Sequence, residues 1–282
     1  MKKLILSVAA VFMTIAVFAQ DTNTFLWKIS GNGLKKESYV LGTLHMACAP
    51  DFRIDDKIKE AIKGTDRITL EINANNPETV KALQANIGPI PGFFDGLDPK
   101  KKQLIDSVLT AKNLNPGFLD QVGPAVLISL LTMQAFECQD PAAMKSMELE
   151  LLKLEEATGK PVDELETAEF QIKIMNEYFQ AEDLYSYLKD IDEMKAETKK
   201  LVAAYFNNRP AELEDLMSKT STMSPEKEEI MLIKRNNDWL TKMPEMMQNN
   251  AVFFAVGAAH LLGDHGVLKL LKDKGYTVTP VN

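Results

Sequence analysis

Along this chain the spacing of apolar positions switches between two and about three and a half residues, and the switches mark its elements. Thr24-Phe-Leu-Trp-Lys-Ile29 alternates, and Gly31-Asn-Gly33 follows it, which predicts a strand turned back onto a second at Ser38–Leu41. That hairpin runs into Gly42 and delivers His45. From Asp51 the period lengthens, with Ile54, Ile58, Ala61 and Ile62 on one helical face before Gly64. Arg67-Ile-Thr-Leu-Glu-Ile72 returns to β-prone residues and carries Glu71 among apolar neighbours.

Residues 77–242 are dominated by helical periodicity. Helices are predicted after Asp98, over Pro124–Phe136, Met144–Ala157, Ala168–Tyr178, Leu184–Phe206, Pro210–Ser218 and Pro225–Leu240, with a short strand at Lys160–Leu165. The unbroken apolar run Ala251–Val256 suits a strand buried on both faces, ahead of a helix at Leu261–Lys272 and a last strand at Thr277–Val281. The pattern predicts an α/β (α+β) fold. Its central mixed β-sheet is built from both chain ends and flanked by helices, and one domain carries a large helical insertion at about 77–242.

The start of the chain changes this picture. Met1-Lys2-Lys3, the apolar run Leu4–Phe18 and the exit Val17-Phe18-Ala19 form a basic n-region, an h-region and a small-residue cleavage site. The run is shorter than the roughly 20 residues a span needs. It predicts a signal peptide over 1–19, a mature chain from about Gln20, periplasmic or secreted location, and no stable membrane span after cleavage. The net charge of −8, with no basic cluster beyond Lys100-Lys101-Lys102 and Lys199-Lys200, argues against a nucleic-acid partner. For the two cysteines, Cys48 and Cys138, three readings stay open: a disulfide after export, two buried thiols, or Cys48 as a soft metal ligand.

Candidate chemistry concentrates in the histidines, of which there are three, His45, His260 and His265. Two of them end the same arrangement, a strand followed by Gly-x-x-His, at Gly42–His45 and Gly257–His260. A glycine there permits a tight turn, and the histidine can point across the carboxyl end of the strand, where α/β sheets hold ligands. His265, between Gly263-Asp264 and Gly266, is expected to face solvent or cap. Glu71 in its apolar strand needs compensation if buried. Two neutral imidazoles and one carboxylate form a common divalent-metal set with room for water. With ordinary imidazoles near pKa ~6.5, metal is expected to be lost between about pH 7 and 5.

The ordered set Gly42-Thr-Leu-His45, Leu70-Glu71, Lys160-Pro-Val…Leu165-Glu166-Thr167, Arg235-Asn236 and Val256-Gly-Ala-Ala-His260-Leu…Gly275-Tyr-Thr-Val resembles the TraB/GumN family, related to the Tiki metalloproteases, over about residues 24–281. The resemblance implies an erythromycin-esterase/ChaN-like core with a helical insertion. It also implies a metal-dependent peptidase site of two Gly-x-x-His motifs and a glutamate, with manganese or cobalt favoured and zinc as a further candidate. Carried over, His45, His260 and Glu71 are metal ligands and catalytic residues, and Arg235 and Glu166 are recurrent site positions. Arg235 is expected either to clamp a substrate carboxylate or oxyanion or to form a helix-surface ion pair. Glu166 is expected either to hold a histidine tautomer or to cap the next helix. Ser146-Met147-Glu148 departs from the family pattern, which has aspartate at Glu148, so Glu148 receives no role. The function expected is exported metal-dependent hydrolysis of a peptide or small molecule. The alternative is an exported haem or peptide binder without catalysis.

Overall fold

The computed structural model describes residues 23–85, 88–111, 117, 123–156, 158–219 and 224–282. The expected leader, 1–19, lies outside the described residues. Within them the strands are β1 (Leu26–Ser30), β2 (Ser38–Thr43), β3 (Met46–Ala47), β4 (Arg67–Leu70), β5 (Lys145–Ser146), β6 (Val162–Glu164), β7 (Val252–Gly257) and β8 (Thr277–Pro280). Six form one sheet in the order β6-β4-β7-β2-β1-β8, and β3 pairs with β5 alone. The pairs β6–β4, β4–β7 and β7–β2 are parallel, and β2–β1 and β1–β8 are antiparallel. The mixed sheet therefore draws on both chain ends, as the pattern predicts.

The β1–β2 hairpin turns on Gly31, Asn32 and Gly33, with φ of 77°, 47° and 79°. Three left-handed residues in a row favour glycine at two of them and asparagine at the third. β7 is the centre. All six residues are buried, and alternate side chains serve two separate cores. Phe253 and Ala255 join Ile58, Ile62, Leu151, Leu152 and Tyr205 on one face. Val252, Phe254 and Val256 join Trp239, Met243, Met247, Leu268 and Leu271 on the other. A third cluster, with Ile105, Leu109, Leu127, Leu131, Leu184 and Leu188, lies wholly inside the insertion.

The short strand predicted at Lys160–Leu165 is β6, which returns to pair with β4 at the sheet edge. Two details differ from the sequence pattern. The predicted helix Leu184–Phe206 is two helices, Ala181–Lys189 and Ile191–Phe206, broken at Asp190. The helix predicted to stop at Leu240 continues to Asn249 through Pro244. A mid-helix proline costs about 3 kcal/mol. Burial of Leu240, Met243 and Met247 contributes roughly 1.5–3 kcal/mol each and outweighs it. Among the described residues no helix is long and apolar enough to cross a membrane.

Cys48 and Cys138 are joined in a disulfide, 90 residues apart in sequence, so Cys48 is not a metal ligand. The bond ties the segment just beyond His45 to the insertion. Closing a loop of that length is expected to stabilise the fold by about 3–5 kcal/mol. Urea unfolding of the oxidised protein and of a Cys48→Ser/Cys138→Ser variant measures this, and a difference below about 1 kcal/mol would contradict it.

Candidate functional site

Because β2, β4, β6 and β7 run parallel, their carboxyl ends share one rim of the sheet, the edge where open α/β sheets place their crevices. His45 follows β2, Glu71 follows β4, Glu166 follows β6 and His260 follows β7. The register aligns them: Thr43 pairs with Gly257, and Leu70 pairs with both Ala255 and Glu164. The Glu166 amide donates to the Glu71 carbonyl at 2.9 Å, which extends the β4–β6 pairing by one step. Arg235 comes from the helix Lys234–Asn249 packed across these tips.

The two motif glycines work through absence of volume rather than turn conformation. Neither has a positive φ. A Cβ on Gly42 would stand 2.9 Å from Leu261 Cδ1 and 3.0 Å from Ala258 Cα, so Gly42 lets the His260 turn lie against β2. A Cβ on Gly257 would stand 3.2 Å from His45 Nε2 and 3.4 Å from Glu71 Oε1. Gly257 thus leaves a gap faced by one imidazole nitrogen and one carboxylate oxygen.

Both motif histidines are fixed through Nδ1. His45 Nδ1 lies 2.8 Å from Glu148 Oε1, and the Thr43 hydroxyl donates to the same oxygen at 2.8 Å. Burial opposes charge on His45, but the hydrogen bond and negative charge of Glu148, aided by Glu71, raise its pKa to about 9. The side chain is 64% exposed, so water screens part of that pull. His260 is different. It is buried, lies against Trp239 with ring centres 4.3 Å apart and planes tilted by 40°, and its Nδ1 is 2.7 Å from Asn236 Oδ1. The Asn236 amide nitrogen donates to the carbonyls of His260 and His265, which leaves its Oδ1 to accept from a protonated Nδ1. Burial first, and then the positive charge of Arg235 and His45, lower His260 to about 3 despite Glu71, so the ring is neutral with an Nε2 lone pair.

Glu71 is compensated as its strand position required. Its Oε1 accepts from the Gly257 amide at 2.7 Å, and its Oε2 accepts from Arg235 Nη2 at 2.6 Å and Gln171 Nε2 at 3.1 Å. Burial alone would raise its pKa; His260, Arg235, His45 and the Gly257 amide together hold it near 2. With His260 neutral near pH 7, Arg235 and His45 supply that field.

Arg235 is a buried hub, not a helix-surface ion pair. Nε donates to Glu166 Oε1 at 2.9 Å, Nη2 to Glu166 Oε2 at 2.9 Å and to Glu71, and Nη1 to the Met231 carbonyl at 3.0 Å and to His260 Nε2 at 2.9 Å. Glu166 serves neither expected role. Thr167 caps the following helix by accepting from the Phe170 amide, and Glu166, with a wholly inaccessible side chain, grips Arg235 and accepts from Trp239 Nε1 at 2.8 Å. His265 is exposed, and only its backbone carbonyl touches the site, through Asn236.

Sequence reasoning missed Glu148, Gln171, Asn236 and Trp239. Two of these had a signal: Asn236 adjoins Arg235 in a quoted motif, and Thr43, inside the first Gly-x-x-His, needs an acceptor that Glu148 supplies. A cavity of about 940 Å³ lies away from this site, beside the disulfide, with Arg53, Lys195 and Phe206 in its lining.

The donor chemistry fits a divalent ion. Two imidazoles present Nε2 with Nδ1 anchored, as metal-binding histidines do. Glu71 Oε1 faces the Gly257 gap and lies 4.0 Å from His260 Nε2. Among the described residues, however, no three His, Cys, Asp or Glu side chains are already gathered as a ligand set, and the His260 Nε2 lone pair accepts from Arg235.

Strand-tip histidines meeting a glutamate on a sheet laid over by helices place the chain in a class. It belongs to the TraB/PrgY/gumN family, whose model matches residues 25–280. Among curated proteins it is similar to the metalloprotease TIKI2 of Danio rerio, at 23% identity over 325 aligned positions that cover 93% of this chain and 62% of the relative. The chain thus spans less than two thirds of that relative's length. No solved structure matches it.

Gly257→Ala is expected to fill the gap between His45 Nε2 and Glu71 Oε1 and to weaken divalent-ion binding at least tenfold, the lower end of what disturbing a ligand's support brings. Calorimetric titration with manganese checks it, with circular dichroism to show the fold retained.

Proposed function

We propose that this chain is an exported, metal-dependent hydrolase that cleaves peptides. The observation that carries the reading is the pair of Nδ1-anchored imidazoles near Glu71 Oε1: His45 Nε2 faces the same space beside Gly257 as that oxygen, and His260 Nε2 lies 4.0 Å from it. The relative's description as a metalloprotease supports the reaction class. Export rests on the leader pattern of residues 1–19, and the Cys48–Cys138 disulfide agrees with an oxidising compartment.

His45, His260 and Glu71 are the proposed ligands, for manganese or cobalt before zinc. When bound, the ion supplies a Lewis acid and a water made acidic enough to ionise near neutral pH. The chain's own groups do the rest. Glu148 holds the His45 ring by accepting from Nδ1–H, and Asn236 fixes the His260 tautomer. Glu71, held near pKa 2, is too weak a base at neutral pH to take a proton and acts as a carboxylate ligand instead. The haem-binding alternative has less support, since the His260 side chain is 5% exposed and leaves no room for a macrocycle at its ring.

His45→Ala, His260→Ala and Glu71→Gln are each expected to reduce metal affinity and metal-dependent peptide hydrolysis by more than about 100-fold. Glu148→Gln, removing only an outer partner, should lose about 10–100-fold, and His265→Ala little. Metal stoichiometry and turnover of the five variants test the assignment. Loss at His265 with retention at His260 would overturn it, and a Soret band on haem addition would favour the binder.

The pH window moves from the one the sequence suggested. A group whose pKa is raised carries its proton below that pKa, so His45 is imidazolium at pH 7 and must release that proton to ligate. Affinity is therefore expected to rise above pH 7, with net proton release on binding at pH 7, to which His260 contributes none. Calorimetry in buffers of different ionisation enthalpy counts the proton.

A further inference from the structure

We propose that Arg235 is an internal cation that holds the unloaded site together and is displaced from His260 and Glu71 when a divalent ion binds. The inference deepens the metallohydrolase reading and rests on it.

Three features lead there. First, all five N–H groups of the guanidinium are used, and the side chain is 7% exposed, so no donor is left to face a substrate. This sets aside the clamp role that the sequence allowed. Second, Glu71 and Glu166 are two carboxylates with 12% and 0% of their side chains exposed, bridged by the same Nη2. Two buried like charges so close need a cation between them whenever no ion is bound. Third, the five donors fall into two groups. Nη1 to His260 Nε2 and Nη2 to Glu71 Oε2 occupy atoms of the proposed ligand residues. Nε and the second Nη2 proton form a fork on Glu166, and the other Nη1 proton goes to the Met231 carbonyl, none of which belongs to the ligand set.

The side chain is therefore anchored at one end and released at the other. With His260 and Glu71 serving as ligands, their charge compensation would pass from Arg235 to the bound ion, while Arg235 would keep its fork on Glu166. Until then the site stays folded without a metal, at the expense of affinity: only the fraction of molecules with Arg235 withdrawn is competent to bind, and apparent affinity falls by that fraction.

The test uses the full exported chain and its Arg235→Gln variant, titrated with Mn²⁺ by calorimetry and melted with and without the ion. If the inward Arg235 state holds about 90% or more of the unloaded protein, the variant binds Mn²⁺ about tenfold tighter or more, although its metal-free melting temperature drops. A residue with a purely structural role predicts the opposite, weaker binding together with lower stability. Equal or weaker binding by a folded variant, with the wild type binding normally, overturns the displacement and leaves the metallohydrolase reading standing. Binding of Mn²⁺, Co²⁺ and Zn²⁺ by neither protein defeats both. If the variant does not fold, nitrogen-15 spectra of the wild type decide. On saturation with Zn²⁺, the Arg235 Nη1 contact to His260 Nε2 should break while the Arg235 Nε–H on Glu166 stays protected; persistence of the His260 contact with zinc bound overturns the proposal.

Discussion

The fork between Arg235 and Glu166 is the contact on which the rest of this site depends. It joins the tip of β6 to a helix 69 residues further on, in a place where neither charge is accessible to water. Unpaired, either group would impose several kcal/mol of desolvation, so the helix can take only a position that brings them together. That position in turn sets Asn236 against His260 and Trp239 beneath its ring. The ion pair thus places the helix from which Asn236 fixes the His260 tautomer, while burial first of all keeps that ring neutral.

The sheet provides the second constraint. Parallel strands bring residues far apart in sequence to one edge, because each strand ends on the same side after a helical crossover. His45 and His260 are 215 positions apart in number and yet extend neighbouring strands, β2 and β7. Both chain ends must contribute for this to happen. The insertion needs only to leave and return on the correct side, which it does through β6 and the long final helix. It packs on both faces of the sheet through residues such as Leu151, Tyr205 and Trp239, and adds a core of its own around Ile105, Leu127 and Leu184.

The sequence disclosed the parts of the site that are local. Strand followed by Gly-x-x-His is written in consecutive residues, and Glu71 among Ile68, Leu70 and Ile72 announces a buried carboxylate by its neighbours. The remainder depends on how helices meet strands. Glu148 answers His45 across 103 residues, and Gln171 reaches Glu71 across 100; no period or spacing encodes such distances. Glu166 was misread because it precedes a helix, where capping is the ordinary role of a polar residue, while Thr167 beside it does the capping. The glycines were recognised for a mistaken reason, since close approach and bend leave the same letter in a sequence. The helix runs on past Leu240, where the apolar spacing predicts its end, because burial of Leu240, Met243 and Met247 outweighs the cost of Pro244 inside it.

One feature of the last long helix reaches further than its length suggests. The turn Glu229–Ile233 just ahead of Arg235 is π-helical, the shape a helix takes when it accommodates one residue too many. Each residue advances an α-helix by about 100°. Removing a single residue from that turn would let it relax to α and rotate what precedes it relative to the sheet by that angle, so the surplus residue acts as a phase setting between the preceding helices and the sheet edge that carries the histidines. Chains that differ here by one residue would keep the helix and the sheet and present a different face of the insertion, with Ile230 to Ile233 at its border, to whatever enters over the histidines.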